Sequence, residues 1–176
     1  SEFSTGSLYI LPTKSNSFLW NGMIVIRSGV YKNAILRFTV QLESSFPNQK
    51  TPPVLKLLSM PLEHPLISPE TLVFDSSHAF PTWNDTEHLY SFLKYFKYSL
   101  EHFEFCCSLP SSSIVNMDIV DVFTKDKDEF QRKALLAVAS SVNEIFNEVD
   151  SENCFSFDRS VLDEDTEIHQ SILENM

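Results

Sequence analysis

Glycine is almost missing, with three in 176 residues. Neither G-x-G-x-x-G nor G-x-x-x-x-G-K-[ST] can be written, so folds that cradle phosphate on such loops are excluded. Cysteine is equally sparse. Cys106, Cys107 and Cys154 form no C-x-x-C pair and no zinc spacing, and His78 and His88 beside Asp75 or Asp85 build no metal site. No metal and no cofactor are therefore expected. The odd cysteine count and the lack of a charged-then-apolar leader point to reduced thiols in the cytoplasm. Basic residues are outnumbered, 13 against 24 acids for a net charge of −11, so a nucleic-acid backbone or an anionic membrane surface would be repelled. No apolar run approaches the roughly 18 residues of a membrane span, which argues against direct membrane insertion.

What is present is aromatic and unevenly charged. Fifteen phenylalanines and 43% hydrophobic residues suit a folded domain with a sizeable core. Residues 1–117 carry nine acids and eight bases, whereas residues 118–176 carry fifteen acids and five bases. The body is near neutral and the last third acidic, a solvated face or a surface for a basic partner. Residues 1–7 read as a cloning scar or flexible lead, 8–150 as one domain, and 151–176 as an acidic extension containing Phe155 and Phe157.

Hydrophobic periodicity divides the domain. In 34–42, Leu36, Phe38, Val40 and Leu42 alternate with Arg37, Thr39 and Gln41, which predicts a strand with one buried face. An aromatic and β-branched run at 18–27 precedes it across a turn supplied by Gly29 and Asn33. A third strand follows at 54–59, and 8–11 adds an edge strand. Beyond residue 85 the period changes. Leu89, Phe92, Leu93, Phe96, Leu100 and Phe103 recur at helical steps, which predicts a helix over 86–103. A Ser-rich linker at 108–113 follows. A second helix is expected over about 126–149, with Phe130, Ala134, Val138, Val142, Ile145 and Val149 inward and acids in its first turn. The expected class is α+β, an antiparallel β-meander followed by helices.

Between these halves lies the stretch from His64 to Asn84, HPLISPETLVFDSSHAFPTWN. Its order resembles the ubiquitin-conjugating (UBC-like) fold: Phe46-Pro47 and Pro52-Pro53 match the proline segment that ends the meander, His64-Pro65 the His-Pro pair, and Trp83 the tryptophan before the long helix. The resemblance implies a catalytic Cys ten residues after the His, which is Phe74, or eight before the Trp, which is Asp75. Neither is a thiol, and a carboxylate cannot serve in thioester exchange. The family's oxyanion-stabilising Asn falls on Leu66, and losing such a donor costs roughly 2.7–4 kcal/mol of transition-state stabilisation. The resemblance thus implies a pseudoenzyme, a ubiquitin-conjugating enzyme variant with no catalytic residue and a degenerate site at His64, Pro65, Leu66, Phe74, Asp75 and Trp83. No first helix of the conjugating fold is visible before Leu8.

Among such variants the sequence is most similar to the fused toes (AKT-interacting protein) family, through His-Pro-Leu, the Asp in place of Cys, Ala79-Phe80 before the Trp, and Phe155-Ser156-Phe157. That resemblance implies an adaptor subunit that joins a Hook-type coiled-coil protein and a Hook-interacting protein. It would bind the Hook C-terminal coiled coil and link endosomes and other vesicles to dynein and microtubules. An alternative is a variant that binds ubiquitin or a sorting motif and assists an active conjugating enzyme. Candidate partner-binding residues are Tyr90, Tyr95 and Tyr98 on the polar side of the first helix, with Phe155 and Phe157.

Overall fold

In the computed structural model, residues 7–58, 62–147 and Phe155 are described. Four strands form one antiparallel sheet in the order β1-β2-β3-β4: β1 Leu8–Pro12, β2 Leu19–Val25, β3 Ile35–Gln41 and β4 Val54–Leu57. Sequential neighbours pair throughout, so the expected meander and its edge strand are both present. Ser7, within the expected lead, is buried, and its carbonyl accepts from Val25 N–H at 2.7 Å.

Two glycines are required by contact. Gly22 faces Phe38 across the β2–β3 ladder, and a Cβ there would stand 2.3 Å from the phenylalanine ring. Gly29 turns the chain between β2 and β3 at φ 78°, where a Cβ would lie 2.3 Å from the Glu101 carbonyl oxygen. Asn33 completes the turn at φ 76°, a left-handed conformation that Asn tolerates.

Leu36, Phe38, Val40 and Leu42 are buried together as the alternation requires. Their core partners come from α1, Leu89–Glu101, which turns Phe92, Leu93, Phe96, Ser99 and Leu100 inward. The helix is shorter than expected at both ends. Asn84 Oδ1 accepts from Thr86 N–H in a turn that precedes it, and His102 breaks it before the single turn of α2, Phe103–Cys107.

The last helices correct the sequence reading in two ways. First, the stretch taken as a linker leads through a 3-10 turn at Ser111–Ser113 into α3, Met117–Lys125, which periodicity did not reveal. Asn116 caps it, accepting from Ile119 N–H at 3.4 Å. The signal was an Asx N-cap, hidden because only nine residues follow it. Second, α4, Lys127–Glu144, begins as expected under an Asp126 cap, but its inward face is Phe130, Ala134, Ala137, Ser141 and Ile145. Val142 is exposed and Val138 half-buried. Small residues line that face because α4 lies close on the back of β3, where Ser141 Oγ accepts from Ile35 N–H at 3.1 Å. The polar side of β3 is therefore covered at Arg37, which is only 6% exposed, while Thr39 is half-buried and Gln41 exposed. Val149 and Phe157 lie outside the described residues.

Candidate functional site

The His64–Leu66 tripeptide lies where the sheet, α1 and the start of α3 converge. His64 is fully buried. Its Nδ1 accepts from Leu66 N–H at 3.1 Å, which leaves Nε2 protonated and donating to the Ser99 carbonyl at 3.0 Å. Burial pushes its pKa down to about 4, with the Ser99 hydrogen bond opposing, so it is neutral at physiological pH. The Pro65 carbonyl accepts from both Val115 and Asn116 N–H, at 2.9 and 3.1 Å. The Leu66 carbonyl accepts from Asp75 N–H at 2.7 Å, while its side chain has no exposure.

Phe74 and Asp75, the two residues that competed for one position, have opposite environments. Phe74 points into the core, edge-on to Phe92 and Phe96 at centroid distances of 6.4 and 5.0 Å and tilted on Tyr95 at 5.9 Å. Asp75 is half-exposed, and its Oδ1 accepts from Ser77 N–H at 2.8 Å. That bond is a local Asx turn that holds the loop. Asp75 is therefore the more outward of the two, and Ser77, His78 and Ala79 after it are exposed. Trp83 is buried against Phe80 and Phe92, and its indole N–H finds no hydrogen-bond partner among the described residues. It acts as packing at the loop's exit.

The thiols are remote from this chemistry in both position and reactivity. Cys106 is buried under Ser99, and burial first, then Cys107, raises its pKa to about 12. Cys107 is half-buried and raised to about 11 by burial and Glu104. Neither is a ready nucleophile at neutral pH. Among the described residues, no three His, Cys, Asp or Glu side chains gather to hold a metal ion, and no helix is long and apolar enough to cross a membrane.

The three tyrosines expected on one outer face separate. Tyr90 and Tyr98 are each 42% exposed, and Tyr98 stacks on His102 at 3.9 Å with Phe105 edge-on at 5.5 Å. Tyr95 turns inward to Phe74 and Phe80, and burial lifts its pKa to about 12. At 3.6 residues per turn, position 95 follows the buried 92 and 99 rather than 90, 94 and 98, which removes Tyr95 from the outer surface. The Phe155 side chain is half-buried, and its carbonyl accepts from Arg37 Nη1 at 3.4 Å.

One surface was not anticipated. Leu135 and Leu136 on α4 are 73% and 58% exposed. Leu136 lines a half-open cavity of about 230 Å³ with Tyr31, Glu63, Ile119, Lys133 and Ala137, and a Lys133–Glu63 ion pair of 3.0 Å stands in its wall. The cavity is smaller than the roughly 300–1,000 Å³ of small-molecule sites, a size that fits one apolar side chain.

No protein-family model matches the chain. Among curated proteins, the crossbronx homolog of Anopheles gambiae is 30% identical over 97% of this chain and 74% of its own length. Crossbronx of Drosophila mojavensis is 31% identical over 96% and 69%. The chain belongs to the crossbronx family. Solved structures place the fold of this crossbronx-family chain. The ubiquitin conjugating enzyme Pex4p of H. polymorpha, solved in complex with the soluble domain of Pex22p, superposes with TM-score 0.59 at 15% identity over 77% of this chain and 83% of its own. A ubiquitin conjugating enzyme E2 domain of Toxoplasma gondii superposes with TM-score 0.60 at 14% identity over 76% and 86%. The crossbronx-family chain thus has the ubiquitin-conjugating fold, a four-stranded antiparallel sheet followed by helices.

Proposed function

We propose that this chain is a ubiquitin-conjugating enzyme variant without catalysis, an adaptor that binds protein partners on a conjugating-fold scaffold. The observation that carries the reading is the missing thiol. From residue 7 to residue 105 the sequence has no cysteine, and the half-exposed Asp75 in the loop between His64 and Trp83 is a carboxylate tied into its own turn. A carboxylate there can neither form nor exchange a thioester. Incubation with activating enzyme, ATP and ubiquitin is expected to give no reducible adduct; a dithiothreitol-sensitive ubiquitin conjugate would overturn the proposal.

The resemblance to the fused toes family narrows the partner to a Hook-type coiled coil, with a Hook-interacting protein completing a cytoplasmic complex that moves endosomes with dynein. The α4 surface suits such a partner: exposed Leu135 and Leu136 beside a cavity sized for one apolar anchor is how grooves accept amphipathic helices. A pull-down with a Hook C-terminal coiled-coil segment, against the same segment scrambled, should retain the first alone. Leu136→Asp should abolish retention while leaving the melting curve unchanged. No retention by the folded chain, together with amide shifts on titrating ubiquitin, would replace this partner with ubiquitin.

A further inference from the structure

β1 is an outer strand of the sheet, and among the described residues it pairs with β2 alone. Two flanking bonds, Val25 N–H to the Ser7 carbonyl at 2.7 Å and Thr13 N–H to the Leu19 carbonyl at 2.8 Å, fix which residues face β2. Hydrogen-bonded pairs recur at every second residue of an antiparallel ladder, so Tyr9 and Leu11 turn their main-chain groups to β2. Leu8 and Ile10 turn theirs away, and no partner meets those N–H groups and carbonyls among the described residues. The side chains alternate too. Leu8 and Ile10 pack on the core, whereas Tyr9 and Leu11 stand on the opposite face, 44% and 52% exposed. Free edges are ordinarily guarded by charge, a bulge or a covering element. Leu8–Pro12 has no charged residue and its register with β2 runs without a bulge, while the chain's excess of acids lies in 118–176. Pro12 alone limits the edge, since proline has no N–H to give.

We propose that β1 is a pairing edge for a second copy of this chain, joined antiparallel about a two-fold axis at Tyr9. Unpaired N–H and C=O groups alternating along a strand are completed by another extended backbone, which neither a helix nor a small apolar group supplies. The edge is also complementary to itself. With the axis at Tyr9, Leu8 of one copy faces Ile10 of the other, and each such pair exchanges both of its hydrogen bonds. Every outward group on the two edges is then met. Tyr9 faces its own counterpart at a non-hydrogen-bonded position, where opposing side chains are closest, and Leu11 of each copy flanks the pair. A shift of two residues would set Leu8 opposite Pro12 and leave the Leu8 carbonyl without a donor, so Pro12 selects the register. Each copy uses up the same edge, so the assembly closes at two. β2 lies between β1 and the strand on which α4 packs, and pairing therefore leaves the exposed leucines of α4 open. One short strand makes a small interface, and the association is a weak one.

The experiment is sedimentation equilibrium of the full chain from about 5 to about 500 µM, the range in which a small interface associates. The weight-average mass should climb from one chain towards two. Tyr9→Lys sets like charges opposite each other across the axis and leaves the core face alone, so it should hold the mass at one chain throughout. Leu136→Asp, on α4, should change nothing. Amide exchange read by NMR should slow at least threefold at Leu8 and Ile10 between the two ends of the range, with Tyr9 and Leu11, already bonded to β2, unchanged. A chain that stays single at every concentration defeats the pairing, as does a dimer that Tyr9→Lys leaves intact or that Leu136→Asp dissolves. Should Tyr9→Lys fail to fold, the Leu8 and Ile10 amides decide alone.

Discussion

Replacing His64 with glutamine removes a proton site whose affinity changes on folding, and the size of the effect follows from its burial. The unfolded imidazole titrates at its ordinary 6.5, whereas in the folded chain burial holds it near 4. Below pH 6.5 the unfolded state therefore binds a proton that the native state refuses. Stability is level above about pH 7 and falls as the pH drops through the window between 6.5 and about 4. Each pK unit is worth about 1.36 kcal/mol, so the full window costs the wild type about 3 kcal/mol, of which about 2 kcal/mol accrues by pH 5. Glutamine does not titrate and lacks this dependence. It should destabilise the chain by roughly 1–3 kcal/mol at neutral pH, because Leu66 N–H or the Ser99 carbonyl loses its partner. Urea unfolding of both proteins, followed by tryptophan fluorescence between pH 7.5 and 5, gives the comparison, and carboxylates common to both cancel in the difference. The gap between wild type and His64→Gln should narrow by about 2 kcal/mol over that range. A gap that stays constant or widens would refute the assignment of a neutral, hydrogen-bonded core imidazole.

Gly29→Ala forces a side chain into a left-handed residue and against the Glu101 carbonyl; a loss of about 2 kcal/mol or more by thermal or urea unfolding is expected. Phe74→Ala removes the ring between Phe92, Tyr95 and Phe96 and should cost roughly 3–5 kcal/mol, read as a lower urea midpoint at unchanged slope. In a Cys154→Ser background, Cys106 and Cys107 should resist Ellman's reagent at pH 8 and react fully in urea, given thiols raised to about 12 and 11. Adding Asp75→Cys to that background should create a site that labels at least tenfold faster than either; equal rates would contradict the outward placement of residue 75.

How far the sequence carried the reading depended on where packing is local. The alternation from Leu36 to Leu42 and the helical steps from Leu89 to Leu100 each report a single dominant face, so strand and helix were legible. Arg37 and Tyr95 were not. The first sits on a face that is polar by composition, yet it is covered by α4, whose position no local pattern encodes. The second is one of three tyrosines in nine residues, and only the helical angle separates it from the others. Helix α3 escaped because a nine-residue element beside a Ser run barely establishes a period. In α4 the inward face is built from Ala137 and Ser141, and close approach to a strand selects small residues over the valines that periodicity favoured. At the candidate site, order alone singled out His64, Pro65 and Trp83, while only the geometry shows that Phe74 faces inward and Asp75 is half-exposed.

The saturated hydrogen bonding of the His64–Leu66 tripeptide has a consequence for genetics. The imidazole Nε2 and the carbonyls of residues 65 and 66 are tied to partners in α1, the segment entering α3 and the loop of Asp75, while Nδ1 holds the Leu66 N–H. Substitutions there would lower the amount of folded protein before they altered any contact with another molecule. In a mutational scan, positions 64 to 66 should therefore give superimposable profiles whether cells are sorted on abundance or on partner binding. Position 136 should separate the two profiles, falling in the second while remaining silent in the first.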